Sequence, residues 1–382
     1  MKIVYLYTAL TTVGGADRII IQKANYLADV MGHEVYIVTD SQAGRAVVFP
    51  LSSKVRHIDL GINFDRQYRH GLLLRSLYYF TLMFVYRRKL GRLLERLKAD
   101  IVISTLGRDL DFLTQLKDGS RKVGESHIAK PYSRNFHLLE QRGFPYRQIA
   151  RYWRKKQEKG VSRLDALVVL TEHDAGNWAS IKQAFVIPNS LPFYPQYSSS
   201  CKNKRIISIG RLNEQKGYER LIEAWAIVNR KHPDWEVNIY GEGTEYEMLK
   251  SLIEKHKLGK SFKLCQPVRN IQEKYMESSM YVMSSRFEGL PMALLEAMAC
   301  GLPCVSFNCP HGPAEIITNG EDGLLVENGN IKELAEAICL LIEDESKRIR
   351  MGTQAKTNIQ RYSQKQIMEK WNNLFHSLTG QS

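Results

Sequence analysis

Short apolar runs alternate along the first half of the chain with longer segments whose apolar positions recur at helical spacing. The runs at Lys2 to Tyr7, Glu34 to Thr39, Val55 to Leu60, Ile101 to Ser104, Lys122 to Glu125 and Ala166 to Leu170 predict strands, and the segments between them, beginning after Gly15, predict helices. Strand and helix in strict alternation imply a parallel sheet. Periodicity stops between Pro188 and Lys204, where Pro188, Pro192, Pro195 and Ser198-Ser199-Ser200 read as a linker. A second series then begins, with strands expected at Arg205 to Ile209, Glu236 to Tyr240, Ser261 to Leu264, Met280 to Met283, Pro303 to Ser306 and Leu324 to Val326. Helices are expected between these, among them Gly217 to Arg230 and Met292 to Ala299. The expected fold class is α/β, with two doubly wound parallel-sheet domains at 1–190 and 205–362 joined by 191–204. The closing segment, Ser363 to Leu378, sets Ile367, Trp371, Leu374 and Phe375 on one face and needs an apolar surface to cover.

Composition changes this picture little: 382 residues, 44% hydrophobic and 25% charged, exclude a disordered, collagen-like or coiled-coil chain and suit two domains of about 150 residues each. Met1-Lys2 leads straight into a strand without a leader pattern, so a cytoplasmic location is expected. The longest apolar stretch, Gly71 to Tyr86, is broken by Arg75 and falls short of the ~20 residues that span a bilayer. All six cysteines lie beyond residue 200, and the spacing of Cys300, Cys304 and Cys309 matches no zinc pattern, so reduced buried thiols are expected and no metal.

Charge is more informative once it is divided. Residues 1–200 hold 30 Lys and Arg against 17 Asp and Glu, a net +13, while the remainder is nearly neutral at 24 against 23. The basic residues concentrate between Lys54 and Lys98, where Arg87-Arg88-Lys89, Arg92, Arg96 and Lys98 follow the aromatic run of Tyr78-Tyr79-Phe80, Phe84 and Tyr86, and again between Arg151 and Lys159. Such a segment suits an anionic membrane surface. Nucleic acid competes on charge alone and is not the expected partner. The plainer alternative is that Leu72, Leu73, Tyr79, Phe80, Met83 and Phe84 form the core stripe of a long helix with a basic outer face.

Ligands of open α/β sheets sit beyond the carboxyl ends of strands, so the strand-to-helix turns carry the candidate chemistry. In Gly210-Arg211-Leu212-Asn213-Glu214-Gln215-Lys216-Gly217, a strand end and an expected helix start near Lys216 put Arg211 and Lys216 where amides and the helix dipole already favour a pyrophosphate. In the turn from Ser285 to Ala299, Pro291 is expected at the first helical position, Glu288 in the loop before it, and Glu296 in the second turn of a nearly all-apolar helix. A carboxylate flanked by Leu294, Leu295, Ala297 and Met298 is expected to be buried and therefore to need good partners, such as a sugar diol. Amides of Gly289, Leu290 and Met292 would face a phosphate or sugar hydroxyl. Asp109-Leu110-Asp111 has the spacing of a metal-binding acid pair, but it follows a strand and reads as a helix start, where acids complement the dipole.

These residues resemble the retaining glycosyltransferases of the family 4 type, which have the GT-B fold of two facing Rossmann-like domains. The resemblance runs from Ile206 to about Ile342 through Gly210-Arg211-Leu212 with Lys216-Gly217, Tyr240-Gly241-Glu242-Gly243, the Glu288 and Glu296 pair, Glu296 to Pro303, and Asn319 to Val326. It is looser in the first half, at Gly14-Gly15, His127 and Val186-Ile187-Pro188-Asn189.

The resemblance implies that Arg211 and Lys216 bind the donor diphosphate, that Glu296 bonds the nucleotide ribose, and that Glu288 with the backbone of the segment Gly289, Leu290, Pro291 and Met292 holds the donor sugar. It implies that Gly14 and Gly15 approach the phosphate or acceptor, that His127 lies near the transferred sugar, and that Val268, with its neighbours Pro267 and Arg269, lines the base. It further implies a UDP-sugar donor, metal-independent hexosyl transfer with retention, no cofactor, and a closing helix, 363–382, that packs on the first domain. The expected acceptor is a glycan on a lipid carrier in surface polysaccharide synthesis. A nucleotide-sugar epimerase or phosphorylase of the same fold, or a non-catalytic basic protein that binds RNA or lipid, are the competing readings. His311, in the turn Cys309 to Pro313, is a further candidate for sugar choice.

Overall fold

The computed structural model describes every residue except Val13, His70, Ser180, Lys182, Gln381 and Ser382, and no side chain is described at Tyr68, Arg69, Leu72, Leu73, Ser76 or Asn135. The chain divides into two units, Met1–Pro188 with Lys365–Ser382, and Asn189–Gln364.

The first unit holds strands β1 (Lys2–Tyr7), β2 (Glu34–Thr39), β3 (Val55–Asp59), β4 (Ile101–Ser104), β5 (Arg121–Glu125), β6 (Ala166–Val169) and β7 (Ala184–Val186). Its helices are α1 (Gly15–Asp29), α2 (Leu72–Leu97), α3 (Phe136–Glu140), α4 (Tyr146–Val161) and α5 (Glu172–Asn177). The second unit holds β8 (Arg205–Ile209), β9 (Glu236–Tyr240), β10 (Phe262–Cys265), β11 (Met280–Met283), β12 (Cys304–Phe307) and β13 (Gly323–Val326). Its helices are α6 (Tyr218–Lys231), α7 (Tyr246–Lys255), α8 (Ile271–Met276), α9 (Met292–Ala299), α10 (Pro313–Ile316), α11 (Ile331–Glu343) and α12 (Glu345–Asn358), and α13 (Gln364–Thr379) closes the chain.

Both sheets are parallel, in the orders β3-β2-β1-β4-β5-β6-β7 and β10-β9-β8-β11-β12-β13. The period of two along a strand explains why the first unit has two cores. Ile3, Tyr5, Val35 and Ile37 point to one face, under Ile20 and Leu27 of α1. Val4, Leu6, Tyr36 and Val38 point to the other, under Tyr86, Leu90, Leu93 and Leu94 of α2. The face under α1 is completed from the far end of the chain: Ile367, Met368, Trp371, Leu374 and Phe375 of α13 fill it. Trp371 and Phe375 are fully buried there.

Three sequence expectations change. Residues 191–204, read as a linker, are tied into the second unit, where Leu191 N–H donates to Tyr362 O at 2.9 Å and Ser199 Oγ to Ser278 O at 2.5 Å. Strand β7 was not anticipated, because Ala184–Val186 is too short to show a period. In α2, Tyr79 and Met83 pack on the core, but Phe80 and Phe84 do not: they are 69% and 64% exposed. Leu72 and Leu73 lie outside the described side chains.

Candidate functional site

In the second unit the strand order reverses between β8 and β11, which makes that gap the place for a ligand. The loops leaving these two strands, 210–217 and 284–291, are the ones that carry Arg211, Lys216 and Glu288. Close backbone approach holds them. A Cβ at Gly241 would lie 1.9 Å from Gly210 O, and one at Gly243 2.2 Å from Leu212 O, so only glycine lets the turn after β9 support the turn after β8. Leu212 N–H donates to Glu242 O at 2.8 Å, and Glu245 N–H to Leu212 O at 3.0 Å. Gly217, at φ +59°, stands where a Cβ would come within 2.5 Å of Ser284 O. Ser284 Oγ donates to Lys216 O at 2.9 Å and Arg286 N–H to Gln215 O at 2.8 Å, so the two loops are laced together.

That lacing brings Lys216 Nζ to 2.7 Å from Glu288 Oε1, which also accepts from Ser285 Oγ at 2.6 Å. Glu288 is buried, while Arg211 is exposed and makes no ion pair among the described residues. Lys216 ends a 3-10 turn, Glu214–Lys216, and α6 starts only after Gly217 caps it, one step later than the sequence suggested. Pro291 is likewise the cap of α9, at φ −73° and ψ 93°, and not its first helical residue: ψ lies outside the helical range. Leu294 and Leu295 N–H both donate to Pro291 O, at 3.0 and 3.3 Å, which leaves the amides of Met292 and Ala293 without helical acceptors. Gly312, at φ +96°, packs behind this cap, where a Cβ would sit 2.5 Å from Pro291 Cδ, and His311 beside it is buried.

Glu296 lies in the second turn of α9, 8% exposed, and one of its oxygens accepts from Tyr275 Oη at 3.1 Å. Burial, reinforced by the charge of Glu296, pushes the Tyr275 hydroxyl far above its ordinary pKa, so it stays a donor. Tyr275 was missed by the sequence reading, since nothing in the short helix α8 marks it. Val268 is exposed on the turn after β10, two strands out from β8.

Two other features of this unit lie away from the loops. A cavity of about 550 Å³, lined by Lys204, Arg205, Asp234, Glu236 and Glu277, sits at the amino ends of β8 and β9. Among the described residues, the grouping with metal-ligand spacing is His232, Cys339 and Glu343, formed where α6 ends beside α11. The six cysteines are unpaired, and Cys300, Cys304 and Cys309 are buried.

In the first unit the order reverses between β1 and β4. Gly14 caps α1 directly beyond β1, and Asp17 ties the loop down by accepting from Thr12 N–H at 2.8 Å and Tyr7 Oη at 2.7 Å. A Cβ at Gly15 would meet nothing within 4 Å. His127 follows β5 and is half-buried over a charged pair that sequence reasoning gave no role: Glu125 at the end of β5, fully buried, and Lys23 of α1, bonded to each other through Lys23 Nζ and Glu125 Oε1. Lys23 Nζ also lies 4.2 Å from the ring centre of Trp371. His127 Nε2 is 3.4 Å from Glu125 Oε1, but neither that nitrogen nor Glu125 Oε2 nor Tyr5 Oη has a hydrogen-bond partner.

Burial pushes the His127 pKa below the ordinary value against the pull of Glu125, so the ring is neutral at pH 7. Burial opposes ionisation of Glu125, yet Lys23 and His127 overcome it and hold the carboxyl below its usual range. Lys23 was detectable in the sequence: it falls four residues from both Ile19 and Leu27 on the buried stripe of α1, where a lysine requires a partner.

Asp109 and Asp111 do not form an acid pair. Asp109 is buried in a 3-10 turn, Arg108–Asp111, with its pKa pushed up to about 6 by burial, and Asp111 Oδ2 is taken by Lys156 Nζ at 2.7 Å.

With the geometry established, comparison with known proteins is informative. The model described as Glycosyltransferase Family 4 matches residues 13–191, and the one described as Glycosyl transferases group 1 matches 195–358. An uncharacterized glycosyltransferase of Haemophilus influenzae is 28% identical over 97% of this chain and 98% of its own. The amylovoran biosynthesis glycosyltransferase of Erwinia amylovora is 33% identical over 56% of this chain and 62% of its own. The poly(ribitol-phosphate) α-N-acetylglucosaminyltransferase of Staphylococcus aureus is 29% identical over 58% and 47%. The chain thus spans nearly the whole of the first relative but about half of the other two.

Among solved structures, sucrose-phosphate synthase from Thermosynechococcus elongatus superposes with a TM-score of 0.79 at 16% identity, covering both chains completely. Staphylococcus aureus TarM, in complex with fondaparinux, α-GlcNAc-glycerol and UDP, superposes at 0.78 and 18%, covering 98% of this chain and 99% of its own. At these identities the agreement is one of fold, and the fold is GT-B.

Proposed function

The chain belongs to the glycosyltransferases of the group 1 and family 4 type, and from that premise we propose that it moves a hexosyl group from UDP-sugar to a glycan acceptor, with retention, in surface polysaccharide synthesis. The observation that carries the donor half is the laced pair of loops at the β8/β11 switch point, with exposed Arg211 beside the Lys216–Glu288 pair. The surface-polymer half is supported by one relative named for amylovoran biosynthesis and another named a poly(ribitol-phosphate) α-N-acetylglucosaminyltransferase. TarM was solved with UDP, and HepE of Anabaena with UDP-glucose, which supports uridine as the base.

In this reading Arg211 and Lys216 meet the diphosphate, whose negative charge grows as the bond from the sugar C1 to the phosphate oxygen breaks. Lys216 exchanges part of its bond to Glu288 for a phosphate oxygen, which leaves a Glu288 oxygen to accept from a sugar hydroxyl. Glu288 thereby positions the sugar, and it is not a general base. The first-turn amides of α9 complete the cradle. Glu296, steadied by Tyr275, accepts the ribose hydroxyls.

The acceptor oxygen bonds to C1, its proton passes to the departing phosphate oxygen, and the products are the glycoside and the nucleoside diphosphate. Arg211, Lys216 and the helix amides supply the positive charge, and no metal or cofactor takes part. His127, neutral at pH 7, is a hydrogen-bonding group of the first unit that carries no charge of its own. Gly14 and Gly15 leave room for an anionic or hydroxyl group against the α1 amides.

A thermal-shift panel of UDP, GDP, ADP and their sugars, with and without EDTA, tests this. A nucleotide at 100 times its Kd adds about 2.7 kcal/mol. Stabilisation by the uridine compounds alone, insensitive to EDTA and absent in Glu296→Ala, is expected. A wild-type protein that no nucleotide stabilises would overturn the reading.

A further inference from the structure

Helix α2 has two apolar faces. One carries Tyr86, Leu90, Leu93 and Leu94 into the core. The other points the opposite way on a helix of 3.6 residues per turn. It presents Leu74, Leu77, Phe80 and Phe84 to solvent at 64%, 66%, 69% and 64% exposure. The outward side of a surface helix is ordinarily polar, and a contiguous exposed stripe of this kind marks a binding surface. Beyond Phe84 the same side turns basic, with Arg87, Arg88, Arg92 and Arg96 exposed and Glu95 the one acid among them.

The neighbouring helix repeats the theme. Phe144, just before α4, is 82% exposed and Tyr152, in its second turn, 63%, among exposed Arg147, Arg151 and Lys155. Both helices meet the 108–111 turn: Lys156 of α4 binds Asp111, whose charge also acts on the Tyr79 hydroxyl of α2.

We propose that α2 lies in the plane of an anionic lipid bilayer, with Leu74, Leu77, Phe80 and Phe84 among the acyl chains and Arg87, Arg88, Arg92 and Arg96 on the lipid phosphates. No described helix is long and apolar enough to cross a membrane, so the contact is with one leaflet. Lipid is the occupant that uses both halves of the face. A nucleic acid would engage the arginines but has no use for leucines. A second copy of this chain, meeting face to face, would oppose one net positive surface with another. The proposal stands apart from the transferase reading, since an inactive protein with this helix would bind in the same way.

Flotation with phosphatidylglycerol/phosphatidylcholine vesicles tests it, with phosphatidylcholine vesicles alone as the second arm. Wild type is expected on the anionic vesicles, and Leu77→Ser/Phe80→Ser/Phe84→Ser is expected to bind at least about tenfold more weakly, with unchanged melting temperature and unchanged nucleotide binding. Arg87→Glu/Arg88→Glu should lose about tenfold or more and flatten the salt dependence. Tryptophan emission from Phe80→Trp should shift to the blue and be quenched by brominated acyl chains, which attachment by charge alone would not produce.

Failure of wild type to float on anionic vesicles would overturn the proposal, as would equal flotation of the triple serine variant. So would sedimentation showing a wild-type dimer that the serine variant converts to monomer, since the face would then be a subunit contact.

Discussion

The two units use charge in opposite ways. At the β8/β11 switch point the ions lie on loops: Glu288 is buried, but its partner Lys216 is half-buried and Arg211 is exposed. Under β1 and β5 of the first unit the ions are sealed in, with Lys23 and Glu125 4% and 0% exposed beneath His127, while that unit's outside carries both the +13 charge and the apolar stripe of α2. A loop pair can trade its partner for a ligand phosphate. A sealed pair cannot, because neither ion can exchange its partner for one from solvent.

Breaking the sealed pair should produce the largest effect. Lys23→Met leaves Glu125 as an uncompensated buried charge and is expected to cost about 3–5 kcal/mol in urea unfolding. The double variant Lys23→Met/Glu125→Leu should recover most of that loss. Equal stability of the two variants would mean that the pair carries no buried charge.

The loop pair should behave differently. Lys216→Met is expected to lower kcat/KM for the nucleotide sugar by about 10²–10³. Its melting temperature should move little, because the pair is partly solvated. A large loss of stability with intact turnover would erase the contrast between the units.

Asp109 sharpens the comparison through pH. Its folded pKa, up at about 6, lies above the unfolded value near 3.9, so the folded state holds its proton longer. Stability should therefore fall as pH rises from about 4 through 6, by up to roughly 2–3 kcal/mol. Asp109→Asn should remove that slope and raise stability at pH 7.5, as followed by thermal unfolding across the pH range. Smallest of all is Lys204→Ala at the mouth of the cavity on the amino side of β8. Its pair with Asp234 is solvent-exposed and screened, so the melting temperature should barely move. Donor turnover should be unchanged, which would separate that cavity from the site.

Strand positions were legible because central parallel strands such as β1, β4 and β11 are covered on both faces and read as apolar runs, and twelve of the strands lie within a residue or two of where the pattern puts them. The two loops at the β8/β11 switch point were legible too. Arg211 and Lys216, or Glu288 and Glu296, stand within one turn-and-helix unit, so the spacing alone places them. The cap positions were less so: Pro291 and Lys216 each missed by one residue, since a cap depends on ψ and on a glycine in the left-handed region, not on residue type alone.

What the sequence determined by itself was local and periodic: the alternation of strand and helix, the two doubly wound domains, and the short-range clusters at their turns. Tertiary structure alone decided which distant residues share one site. Lys23, Glu125, His127 and Trp371 meet because a parallel sheet sets β1 two strands from β5 and because α13 returns to cover their common face. It also decided which stripe of α2 is core and which is surface. Both stripes are apolar, so the period predicts a helix without saying which side the sheet will take.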